Sequence, residues 1–192
     1  MSTYKTVTET INEIEHWLRL STLLHGALKK ALLCVLHNKT AQVYTGLPED
    51  PAALYQELAN RHLVVGKLER KKVFRKEQVN ILLPPNDNKV FSKQFDITLI
   101  VVLIRHFTTL APPAVGWSVN DLKRHEQDKS IAAFVIRARE WRNFLHHTDP
   151  KDIDEALFKT KWEEGEEIIS GLGYAYNTKH LLTISLDPKH EV

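Results

Sequence analysis

Apolar residues recur along this chain at intervals of three and four, the period of a helix buried on one side, and no stretch alternates convincingly with the two-residue period of a strand. From Ile11 they run Ile14, Trp17, Leu18, Leu24, Ala27, Leu28, Ala31, Leu32, Val35 and Leu36. This pattern predicts one long helix, or two joined near Ser21 and Gly26. Asp50-Pro51 reads as an N-cap followed by a first-turn proline, opening a short helix through Leu58. A brief helix over Glu77 to Leu83 is stopped by Pro84-Pro85, and Asn86-Asp87-Asn88 is a loop by composition. Asp96 caps a helix from Ile97 to about Leu110 that is apolar nearly all round, which places it centrally. Pro112-Pro113 ends it and Gly116-Trp117 turns the chain. The next helix starts at Asp121 or Asp128 and runs to His146. A last long helix, Ile153 to Leu172, carries Ala156, Leu157, Trp162, Ile168 and Ile169 and closes at Gly171 or Gly173. The mildly apolar stretch from Tyr174 to Leu186 is expected to dock as a short helix or strand. The fold class is all-α, an antiparallel helical bundle over residues 8–173 with a C-terminal tail over 174–192.

Composition adds little to that picture. With 192 residues, 43% of them hydrophobic, the chain can bury one proper core. A net charge of +2 decides nothing about nucleic acid, but the charges are unevenly placed. Lys67, Arg70, Lys71, Lys72, Arg75 and Lys76 cluster with Glu69 alone among them, and acids dominate from Asp149 to Glu167. A basic run can attract phosphate, although such runs also serve as plain solvated faces. The single cysteine, Cys34, excludes an internal disulfide and a Cys-rich zinc module and fits a reducing compartment. Cys34 and His37 stand one helical turn apart, but two ligands do not make a metal site, so neither metal nor cofactor is expected. The polar N-terminus resembles no signal peptide, and the most apolar run, Ile97 to Ile104, is far shorter than the roughly 20 residues a bilayer requires. A cytoplasmic protein without membrane contact is expected. Trp17, Trp117, Trp141 and Trp162 are read first as core or interface anchors.

The candidate chemistry lies at the end of the helix that begins near Ile131. Ile131, Phe134, Val135, Ala138 and Leu145 form its apolar face, and the wheel places Arg142 among them. A guanidinium there is costly unless it is paired or the face meets a partner. His146 lies one turn beyond Arg142, while Pro150 disfavours helix at Asp149, so the end should fray near His147 and let its imidazole approach Arg142 and Asn143. A fixed cation, an amide and a titratable imidazole suit cleavage of a phosphodiester that carries its own 2′-hydroxyl nucleophile, with no metal required. One copy lacks an obvious second acid or base, so two chains paired helix to helix would make a fuller site. The plain alternative is that these cations meet the last helical carbonyls and Asp149 or Asp152.

Arg142, Asn143 and His147, with four residues between the Arg and the His, resemble the signature of HEPN domains. Leu82-Leu83-Pro84-Pro85, Phe95 to Leu99, Pro112-Pro113 with Gly116-Trp117, and Trp162 with Leu172-Gly173 resemble in particular the DAZ-interacting-zinc-finger-protein-like branch. That branch usually sets the His one residue further on, so whether His146 or His147 corresponds stays open. The resemblance implies a helical bundle that forms a homodimer through the motif face. It implies binding of single-stranded RNA and, in catalytic members, metal-independent cleavage leaving a 2′,3′-cyclic phosphate. Other members serve as interaction modules, some within large proteins of innate immunity. Ubiquitin ligase activity is not implied, because a RING needs a cluster of Cys and His ligands.

Overall fold

The computed structural model describes residues 6–117 and 122–183, and the alternative helix start at Asp121 lies outside them. Thr6 opens the bundle with a reciprocal cap: its hydroxyl accepts the Glu9 N–H while the Glu9 carboxylate accepts the Thr6 N–H. The helix that follows is continuous but not uniform. Helix α1 (Val7–Leu23) passes through a π-helical turn (Leu24–Leu28) into α2 (Lys29–Leu36). The buried pairs Leu23-Leu24, Ala27-Leu28, Ala31-Leu32 and Val35-Leu36 explain the turn. A repeat of four outruns an α-helix by about 40° per step, since each residue advances about 100°. The wider π turn absorbs most of that drift and keeps all four pairs facing inward.

Asp50 accepts the amides of Ala52 and Ala53 and starts α3 (Pro51–Asn60). Helix α4 (His62–Arg70) carries the first part of the basic stretch, an element that the apolar spacing does not announce, because only Val65 and Leu68 turn inward. α5 (Lys76–Leu82) follows, ending before Pro84-Pro85. Helix α6 (Ile97–Phe107), capped by Asp96, buries seven residues including Ile100, Leu103 and Ile104, and packs against α2 and α8 (Ile131–His147). It stops three residues before Leu110: Thr108 is extended, its hydroxyl donates to the Ile104 carbonyl, and Thr109 bonds Thr45 instead.

A short α7 (Leu122–Gln127) precedes α8, whose N-cap is Ser130, two residues past Asp128. Asp149 caps a single 3-10 turn (Pro150–Asp152), so α9 (Glu155–Gly171) begins at the Asp154 cap and lies beside α8. Gly173, with φ +77°, closes α9. Gly171 has another duty: a Cβ there would sit 2.3 Å from the buried Phe134 ring. Gly171→Ala should therefore cost about 1–3 kcal/mol by overpacking, seen as a lower thermal midpoint. An unchanged midpoint would mean the ring has room to turn. The tail docks through α10 (Lys179–Thr183), which buries Leu181 and gives its carbonyl to Arg19. No strand occurs among the described residues, and no helix is long and apolar enough to cross a membrane.

Candidate functional site at the end of α8

The first eight residues of α8, Ile131 to Ala138, are all buried, and only from Arg139 does the helix acquire an open side. The site occupies that second half. Arg142 is half-buried rather than enclosed, which corrects the wheel's placement among packed residues. Its Nη1 donates to Asn143 Oδ1 at 3.3 Å, and Asn143 Nδ2 donates to Glu140 Oε1 at 3.3 Å. A carboxylate thus orients an amide, which orients the guanidinium. Among the described residues Arg142 forms no ion pair, and neither Asp149 nor Asp152 is used to neutralise it.

The helix ends at His147, close to where Pro150 led it to be expected, but His147 keeps its place in the last turn: Thr148 is an extended C-cap whose hydroxyl donates to the Phe144 carbonyl. His146 and His147 are exposed, with ring centroids 5.2 Å apart and edges turned to faces. Neither hydrogen-bonds Arg142 or Asn143 among the described residues. Asn143 and His147 line a cleft of about 410 Å³ between α8 and α9 with Glu140, Lys161 and Glu164; Arg142 is not in its wall. Asn143 and His147 therefore face a cleft that Arg142 does not reach. Lys161 sits over the Phe144 ring at 4.4 Å and its carbonyl accepts the Trp141 indole N–H at 2.9 Å, holding the seam between the helices.

One partner escapes sequence reasoning. His25, on the π turn, lies close enough to Arg142 to feel its charge. Partial burial, then Lys29 and Arg142, push its imidazole below the ordinary range. A neutral imidazole beside a fixed cation is the state a general base requires. The signal lay in the spacing, since Val7, Ile11, Ile14 and Leu18 form an exposed apolar stripe and His25 falls one heptad past Leu18.

The basic residues Lys67, Arg70, Lys71, Lys72, Arg75 and Lys76 are all exposed on α4, α5 and the turn between them. His37 is not poised for metal: its Nδ1 lies 3.0 Å from the Leu47 carbonyl and its Nε2 3.0 Å from the Ser92 hydroxyl. Trp141 and Trp162 are buried and Trp17 donates to the Leu145 carbonyl at 3.4 Å, whereas Trp117 is half-buried at a cleft.

No solved structure matches the chain. The proteins named E3 ubiquitin-protein ligase DZIP3 of Mus musculus and Homo sapiens are each 30% identical to it over 95 residues, which is 49% of this chain and 8% of each ligase. The model of DZIP3/hRUL138-like HEPN domains matches residues 51–192, from the start of α3 onward. With an all-helical fold and a family match over most of its length, the chain belongs to the DZIP3/hRUL138-like HEPN family.

Proposed function

We propose that this chain is an RNA-binding HEPN module acting as a homodimer through the Arg142 face of α8. One observation carries the reading: Arg142 is half-buried, held by Asn143 and Glu140, and has no acidic counter-ion among the described residues. A cation so placed supports an external anion, and the phosphodiester is the anion its planar fork fits. The exposed stripe of Val7, Ile11, Ile14 and Leu18 leads toward His25 and Arg142 and supports pairing with a second copy. Two chains so joined would bring two Arg142 and two sets of histidines to one strand. An imidazole of His147, His146 or His25 would then accept the 2′-hydroxyl proton as that oxygen bonds to phosphorus, and Arg142 would neutralise the charge building there. A protonated imidazole from the second copy would give its proton to the departing 5′-oxygen.

A second reading is a dimerisation and protein-interaction module without catalysis, working in immune or regulatory signalling. It is favoured by the exposure of His146 and His147, neither of which hydrogen-bonds Arg142 among the described residues. The relatives' ligase activity is a property of much longer proteins and is not proposed for this chain.

The test is incubation with labelled single-stranded RNA in EDTA beside Arg142→Ala and His147→Ala, with oligomeric state measured by light scattering. Cyclic-phosphate ends that fall about 100-fold or more in both variants support cleavage. Intact RNA that binds wild type but not Arg142→Ala supports binding alone. If wild type neither binds nor cuts RNA yet remains dimeric, the interaction reading stands and the RNA reading is lost.

A further inference from the structure

The basic stretch does more than decorate a surface. Past the end of α4 the chain closes the helix with Lys72 at φ +58°, a left-handed position that glycine adopts without cost. This turn brings Lys71 and Lys72 to a cleft of about 470 Å³ shared with Arg105 and His106 of α6, Arg139 of α8 and the Trp117 indole. Every charged group described in its wall is a cation. Lys71, Lys72, Arg105 and Arg139 form no ion pair among the described residues, whereas Arg19, Arg61 and Arg137 each pair with a glutamate. His106 is held below the ordinary imidazole range, first by burial and then by Arg105 and Lys71, as expected where positive potential is uncompensated.

Convergent like charges and a lysine in a strained backbone both oppose folding, so their coincidence at one cleft points to an anion outside the chain. Guanidinium and ammonium groups fit phosphate, and an indole beside them fits the face of a base. Arg139 stands one turn before Arg142, about 4.5 Å of helix rise away. Building on the RNA reading above, we propose that this cleft seats one nucleotide of the single-stranded RNA whose phosphodiester reaches Arg142, its phosphate on Lys71, Lys72, Arg105 and Arg139 and its base on Trp117. Lys67, Arg70, Arg75 and Lys76 lie outside this seat.

The experiment is fluorescence anisotropy of a short labelled uridine-rich RNA with the full chain across a salt series. Arg105→Ala and Lys72→Gly should each weaken binding about tenfold and lower the log–log salt slope, each by less than the about 0.7 that one whole phosphate contact on a single strand contributes. Trp117→Leu should weaken binding about tenfold with the slope unchanged, and Trp117→Phe should restore it. Arg75→Ala should change neither. Lys72→Gly should raise the thermal midpoint while it weakens binding, which excludes unfolding as the cause. Equal losses in Arg75→Ala and Arg105→Ala would overturn the cleft in favour of a diffuse basic surface. So would RNA binding that depends on Arg142 but ignores Arg105 and Trp117, with the RNA reading left intact. Displacement of the strand by uridine monophosphate at comparable concentration would make the ligand a free nucleotide and also overturn it. A wild type that binds no RNA would remove both readings together.

Discussion

Trp141→Ala should lower the free energy of unfolding by about 3–5 kcal/mol, a large part of the roughly 5–15 kcal/mol a domain possesses. Trp141 heads the fully buried side chains by volume, at 1% exposure. Its indole spans from α8 to α9, donates to the Lys161 carbonyl and rests against Gly165, where a Cβ would stand 3.2 Å from its ring. Truncation leaves a cavity that the surrounding helices fill only partly, and it removes the hydrogen bond to the Lys161 carbonyl. Trp141→Phe keeps most of the volume and loses mainly the hydrogen bond, about 1 kcal/mol. Urea denaturation separates the two. Equal midpoints for the alanine and phenylalanine variants would mean the seam between α8 and α9 does not depend on that side chain. Because Trp141 adjoins Arg142, the alanine variant should also lose any RNA affinity.

Glu167→Ala should cost about 2 kcal/mol at neutral pH and change how the fold responds to acid. Glu167 accepts Arg137 Nη2 at 2.5 Å and Lys129 Nζ at 2.7 Å, while the Arg137 guanidinium also lies 5.1 Å from the Phe134 centroid. Removing one partner of a buried pair can cost about 3–5 kcal/mol, because the other charge is left unpaired. Here the Glu167 side chain is 44% exposed, so solvent screens part of that loss. The hydrogen bond from Arg137, then that from Lys129, bring the Glu167 carboxyl from 4.5 down to about 2. A carboxyl depressed on folding gives its full stabilisation above its unfolded value and loses it as pH falls through its folded value. Wild type should therefore lose stability between about pH 4.5 and 2. Glu167→Gln should flatten that limb, and superimposable stability–pH profiles would remove the pair from the account.

Much of the bundle was legible because its helices announce themselves twice, by apolar period and by a cap. Asp50 and Asp96 each accept an amide at a helix start, and Pro84-Pro85 and Gly173 mark ends, whereas the Asp154 cap of α9 was passed over for a start at Ile153. Helix α4 was not legible, since Leu63 and Val64 face solvent and blur its period. The end of α6 was set by Thr109 pairing with Thr45, 64 residues away, which no local window contains. At the site, Arg142 was legible as a cation on a largely apolar helix face. Its neighbour His25 carried a signal only as the continuation of the exposed stripe, since spacing along one helix does not show which distant side chain it approaches. The company that Lys71 and Lys72 keep was not legible, since Arg105, Trp117 and Arg139 come from distant parts of the chain.

The π turn has a consequence for comparing this chain with its relatives. Its i→i+5 bonding holds one residue more than the α turn it replaces. A relative that lacks it would be shorter by a single residue in mid-helix, where no loop exists to absorb the difference. Aligning the two should open a gap within Leu24–Leu28, and forcing an ungapped match would swing every downstream position about 100° around the axis. His25 and Lys29 would then be equated with residues of another face.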